Sequence, residues 1–239
     1  MSKKTTIFIV MVISIVMMFP GNIFAQENDN FEEAQNYITI NSFRDFLEDK
    51  IENNDSNSVN AEELLIEFEK LSPNKKEKFI SYINDPSLIS ETLNSLLEDE
   101  GYASFKNGDV IVSSNVEYKN SQDSLIERGS LQSRIATGSR SVSILGLKVF
   151  EYSGELRYTH NGSSIKSIEH ANIWISRNFI PFHTFTWSDS STYGVGSNTA
   201  HHIKYCTWSL VHNSLGLTYG SHQIEIKGNI YNNTIFTVS

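Results

Sequence analysis

The stretch Val110, Ile111, Val112, Ser113, Ser114, Asn115, Val116, Glu117, Tyr118 decides the fold class. Apolar side chains at 110, 112, 116 and 118 share one parity, and in a strand that parity sends one set of side chains to a core and the other to water. The same alternation returns late in the chain, where Ile224, Ile226 and Ile230 are interleaved with Gln223, Glu225 and Lys227. Between these two stretches lie further apolar runs at 147–158, 165–176, 182–187 and 201–211, and Phe236 and Val238 follow them. Asn161 before Gly162 is a hairpin signal, because both residues tolerate the positive φ of a two-residue turn. Roughly seven strands without a helical period predict a mainly β fold over 108–239, a β-sandwich of Ig-like or jelly-roll type, with a closed barrel as the alternative.

Upstream the period changes. Phe43, Phe46, Leu47 and Ile51 recur at three- and four-residue spacing after Asn41 and Ser42, which are read as the cap of a helix. Asn60 and Glu63 have the spacing of a capping box ahead of Leu64, Leu65, Phe68 and Leu71. Ser72 with Pro73, and Asp85 with Pro86, each stop one helix and start the next. Residues 26–107 are therefore expected to be a small helical region. Charge separates it from the rest: residues 26–101 hold 19 acidic and 6 basic side chains, and residues 102–239 hold 9 and 11. An acidic helical segment beside a slightly basic β domain reads as a proregion that covers the domain until export is complete, the β segment being expected to fold without it.

From 119 to 141 the alternation fails, and the segment is read as a linker or a long loop. Arg128, Arg134 and Arg140 stand in it as candidate sites for a second proteolytic processing step. Residues 1–25 are not part of the fold. Lys3 and Lys4 precede an unbroken apolar run from Ile7 to Phe19, followed by Pro20, Gly21 and the small Ala25. That is the order of a signal peptide, and the apolar run is shorter than the roughly 20 residues a transmembrane helix needs. Cleavage is expected between Ala25 and Gln26, leaving a secreted, extracellular chain without a transmembrane segment. The Ile, Asn, Ser and Lys bias points to a Gram-positive bacterium.

A net charge of -9, from 28 acidic and 19 basic residues, excludes the concentrated cationic surface that nucleic-acid binding requires. One cysteine, Cys206, excludes an internal disulfide framework, and its apolar neighbours predict burial. All seven histidines lie after residue 159, yet neighbouring His201 and His202 point to opposite faces of a strand, so no metal or cofactor is assigned. The histidines are read as solvated strand and turn residues. No nucleophile elbow occurs, and Glu151 with Glu155 is the nearest carboxylate pair on one strand; no catalytic residue is assigned. Aromatics are the richer signal. Trp174 and Trp208 are expected in the core, while Trp187, Tyr193 and Tyr219 flank loops and are the candidate binding surface. The resulting expectation is a secreted interaction protein that meets a cell-envelope glycan, a lipid surface or a protein, with a bacteriocin-like role included. A secreted hydrolase assembled from scattered Ser, His and acidic residues, and a self-assembling matrix protein, are the alternatives.

Overall fold

Val110 to Asn120 form one strand, as their alternation requires, and Val110 and Val112 are buried on its inner side. In the computed structural model, which describes residues 37–53, 57–97, 101–120, 131–212 and 216–239, nine antiparallel strands follow four short helices. The helices are α1 (Ile40–Glu52), α2 (Ser58–Lys70), α3 (Pro73–Ile83) and α4 (Pro86–Asn94), continued by a 3-10 turn at Ser95–Leu97. The strands are β1 (Tyr102–Phe105), β2 (Val110–Asn120), β3 (Gln132–Ile144), β4 (Leu147–His160), β5 (Ile165–Asn178), β6 (His183–Tyr193), β7 (Thr199–His212), β8 (Gly216–Asn229) and β9 (Thr234–Val238). They form a five-stranded sheet in the order β1-β2-β3-β4-β5 and a four-stranded sheet in the order β6-β7-β8-β9.

The fold is therefore mainly β with a small helical N-terminal region. Its strand order departs from expectation: each strand pairs with its neighbour in sequence, so neither sheet contains the returning strand of a Greek key, on which Ig-like and jelly-roll orders depend. Short turns explain the simple order. Asn161 and Gly162 open the β4–β5 turn, with Gly162 at φ 86° and the Asn161 side chain accepting from Ser163 N at 3.2 Å.

The helical reading holds, with two corrections at the caps. Thr39, not Asn41, caps α1: Thr39 Oγ1 accepts from Ser42 N at 3.1 Å and Ser42 Oγ accepts from Thr39 N at 2.8 Å. Asn60 lies inside α2 and donates instead to Ser176 O of β5 at 2.8 Å, so its amide ties helix to sheet. Asp85 does cap α4, accepting from Leu88 N at 2.9 Å. Phe43, Phe68 and Phe79 meet with centroids 5.1 to 5.3 Å apart at the centre of the helical layer.

The expected boundary between 107 and 108 falls inside one structural unit, residues 36–239. Residues 102–105, read as helical, are strand β1 paired with β2. Helix and sheet residues share one buried apolar cluster. Polar contacts fasten the same junction: Arg177 pairs with Glu63 at 2.6 Å, Tyr82 donates to Asp109 Oδ2 at 2.8 Å, and Arg140 Nη1 donates to the Leu96 carbonyl.

The linker or long loop expected at 119–141 is cut back at both ends: β2 runs to Asn120 and β3 begins at Gln132, so about half of the segment is paired strand. Arg134 and Arg140 are inward residues of β3, 8% and 3% exposed, and cannot present themselves to a protease in the folded chain. Arg134 donates to Ile230 O at 2.7 Å and lies over the Tyr118 ring at 5.3 Å. The alternation was hidden because the inward positions of β3 are Arg134, Ala136, Gly138 and Arg140 rather than large apolar residues. Arg128 lies outside the described residues, as do Ala25 and Gln26.

The two sheets meet through rings set against glycines. Phe150 of β4 stacks on Phe185 of β6, centroids 5.2 Å apart. Phe236 of β9 crosses to the other sheet, where a Cβ at Gly138 would lie 2.4 Å from its own Cβ and a Cβ at Gly154 would lie 2.7 Å from its Cε2. Gly154→Ala is expected to cost about 1–3 kcal/mol of stability through overpacking. Phe236→Leu removes the clashing ring carbon, so the double variant should lose less than the sum of the single losses in urea unfolding. Additive losses would show that the ring does not press on position 154.

Candidate functional site

The outer face of the five-stranded sheet is built from short polar side chains. Register places Asn115, Ser139, Ser153 and Trp174 in one row across β2, β3, β4 and β5. The adjoining row is Glu117, Thr137, Glu155 and Asn172. With Glu151, all of these side chains except Asn172 surround an open groove of about 340 Å³, and Gly138 and Gly154 contribute to its lining. Trp174 is 37% exposed and is the only large aromatic in that lining.

Hydrogen bonds hold the groove's acids in place. Glu151 accepts from Ser176 Oγ at 2.9 Å and pairs with Lys148, and Glu155 pairs with Arg157 at 3.3 Å. Ser153 and Ser176 bond to each other at 2.8 Å. The arrangement offers an aromatic ring standing beside fixed carboxylate, amide and hydroxyl groups on rigid strands, the ingredients of polar recognition combined with stacking.

Of the three aromatics expected to form a surface, Trp187 and Tyr193 do not converge. Trp187 faces inward: Tyr152 meets its ring at 6.3 Å and Lys204 Nζ lies 4.3 Å from its centroid, while the same ammonium donates to Ile173 O. Tyr193 faces outward on the four-stranded sheet, 48% exposed and stacked on His201. Tyr219 pairs with Ser209 through the β7–β8 register, and its side chain lies outside the described residues. Trp174, expected in the core, is the groove's aromatic instead. Its parity with His170, Asn172 and Ser176 is the signal that places it on the solvent face, and the flanking Ile173 and Ile175 masked it.

The histidines also correct the expectation of solvated residues. His160, His183, His202 and His222 are buried. Trp208 Nε1 donates to His222 Nε2 at 3.0 Å, and burial depresses the His222 pKa to about 4, so the ring is neutral with its proton on Nδ1. That proton faces Tyr152 Oη at 3.0 Å, which leaves the Tyr152 hydroxyl to donate to Cys206 Sγ at 3.1 Å. Cys206 is buried as expected, and burial pushes its thiol pKa up, the opposite of what a nucleophile needs. His183 lies among Phe150, Phe185 and Trp208, and neither ring nitrogen makes a hydrogen bond among the described residues. Burial, with the nearby His222, lowers its pKa to about 3.

Among the described residues no group of three or more His, Cys, Asp or Glu is placed to hold a metal ion. No helix among them is long and apolar enough to cross a membrane. Comparison with protein-family models, curated proteins and solved structures finds no match to this chain.

The buried histidines make a pH prediction. Both groups titrate near 6.5 when unfolded and near 3 and 4 when folded, so the unfolded chain alone takes up their protons as the pH falls. The folding free energy is unaffected by these two above pH 6.5 and declines between pH 6.5 and about 4, by at most roughly 3 kcal/mol per pH unit for both. His183→Phe should remove about half of that slope in urea titrations. An equal slope in wild type and variant would contradict a neutral, buried His183.

Proposed function

We propose that this chain is an exported, extracellular glycan-binding protein, a β-sandwich of two meander sheets that engages cell-envelope polysaccharide at the Trp174 groove. The observation that carries the reading is a half-open tryptophan beside three glutamates, an asparagine and several hydroxyls in one groove. A pyranose ring has an apolar C–H face, which suits an indole, and an equatorial rim of hydroxyls, which suits carboxylate and amide acceptors. The short Ser139 and Ser153 side chains in the groove let a flat ligand approach the sheet closely. Export is supported by the order of charge, apolar run and small residue within 1–25, with cleavage between Ala25 and Gln26. The acidic helices belong to the binding protein itself in this reading, because they share its buried core.

Binding is tested by titrating the protein from Gln26 onward with three hexasaccharides: β-1,4-linked N-acetylglucosamine, β-1,4-linked glucose and α-1,6-linked mannose. At least one is expected to bind, and Trp174→Ala should weaken that binding tenfold or more, about 1.4 kcal/mol, without moving the urea midpoint. Glu155→Gln should weaken it by a smaller factor. Equal affinity of wild type and Trp174→Ala would overturn the groove as the site, and release of reducing sugar ends would move the reading to a hydrolase. Expressed with residues 1–25 in a Gram-positive host, the protein is expected in the medium with Gln26 at its N-terminus by mass spectrometry. Recovery of a chain that retains Met1 would refute the cleavage.

A further inference from the structure

We infer that Tyr193 forms a second glycan site where the edge strand β6 of the four-stranded sheet meets β5, so that one molecule bridges two polysaccharide chains. The inference rests on the glycan-binding reading and adds to it a cross-linking function. Tyr193 lies flat on His201, with centroids 4.6 Å apart and the rings 9° from parallel. His201 Nδ1 is held by Glu225 Oε1 at 2.9 Å, and Glu225 Oε2 by Lys227 at 2.8 Å. Burial raises the Glu225 pKa, but hydrogen bonds from Lys227 and His201 outweigh it and keep the carboxyl below its usual range. The tyrosine is thus backed on one face by a fastened imidazole. With 48% of its surface exposed, the ring is a ready stacking platform.

Beside it opens a groove of about 640 Å³, lined on the β5 side by Glu169, His170 and Ala171 and on the β6 side by Thr192, Tyr193 and Val195. Its turn is anchored. Ser197 donates its hydroxyl to Gly194 O at 2.8 Å, Ile165 N donates to Ser197 O at 2.7 Å, and Gly196 N donates to Ile165 O at 2.9 Å. Gly194, at φ 122°, is required there because a Cβ would fall 2.1 Å from Thr199 O. These bonds pin the end of one sheet to the start of β5 and fix the groove's walls. The aromatic platform of Tyr193, the carboxylate of Glu169 and the hydroxyl of Thr192 repeat the ring, carboxylates and hydroxyls of the Trp174 groove, so the ligand class is the same: a pyranose chain with free hydroxyls.

Trp174 projects from the five-stranded sheet, whereas Tyr193 belongs to the four-stranded sheet and its groove opens where β6 meets the far end of β5. A single sugar residue cannot touch both rings, because Trp174 stands four residues, roughly 13 Å of strand, beyond His170, the groove residue on the same face of β5. Simultaneous occupation therefore links separate chains, or distant parts of one chain, and raises avidity on a polymer without any new contact.

The test uses the hexasaccharide that binds wild type most tightly, free in calorimetry and coupled to polystyrene beads. Two hexasaccharides per wild-type chain and bead aggregation at intermediate protein concentration are expected. Tyr193→Ala should bind one, keep the affinity of the Trp174 groove and leave the beads dispersed, while Tyr193→Phe, which retains the ring, should behave as wild type. A stoichiometry of one for wild type, or bead aggregation by Tyr193→Ala, would overturn the bridging inference and leave the glycan-binding reading standing. Failure of wild type to bind any of the three hexasaccharides would remove both.

Discussion

The interlock of rings with glycines is the constraint on which the rest of the structure depends. Phe236 occupies the space above Gly138 and Gly154, Tyr158 that at Gly228, and Trp208 that at Gly220. Phe236 and Tyr158 reach across to glycines of the other sheet and Trp208 to the glycine on its neighbouring strand, because a close-packed interior has no spare volume for a side chain beside these rings. Gly138 and Gly154 yield that space on the inner side of β3 and β4, while the outward side chains that alternate with them, Ser139, Ser153 and Glu155, line the Trp174 groove.

Polarity in the interior follows a second rule: a group enters only with a partner or in its neutral form. Arg134 and Arg140 reach carbonyls of Ile230 and Leu96. Tyr152, His222, Trp208 and Cys206 satisfy one another in a chain whose direction is set by the indole N–H, a donor only. His183 takes the other course and remains uncharged. Its aromatic neighbours gain contact area, and the chain gains a cost that grows as the medium is acidified.

The helical layer belongs to the same economy of burial. Helices of 9 to 13 residues are too short to persist alone. Three phenylalanines give the layer its centre, and Asn60, Glu63 and Tyr82 attach it to the strands. Its acidic surplus then faces solvent, which is the ordinary place for charge on an amphipathic helix. Both surface grooves lie instead on the β part, where pleated strands hold side chains in rows at fixed spacing.

Local pattern was legible where a residue's role depends on its neighbours in sequence. The parity of Val110 to Tyr118 and of Ile224 to Ile230, the prolines at 73 and 86, and the Asn161–Gly162 turn determined strands, helix starts and a hairpin, because each is a property of a few consecutive backbone units. Strand β3 was illegible for the opposite reason: Arg134, Gly138 and Arg140 face inward only because Ile230, Phe236 and Leu96, nearly a hundred residues away in two cases, provide carbonyls or fill the missing volume. The candidate sites divide the same way. Tyr193 could be singled out as an aromatic beside a turn, but its stacking on His201 needed the β6–β7 register. Trp174 sits beside Ser153, Ser139 and Asn115 only once four strands are aligned. Sequence alone therefore determined the class of each segment, through local backbone preference and periodic burial. The order of the strands, the sharing of one core by helices and sheets, and the gathering of polar groups around Trp174 were decided by tertiary packing, because they depend on which distant side chains compete for the same interior space.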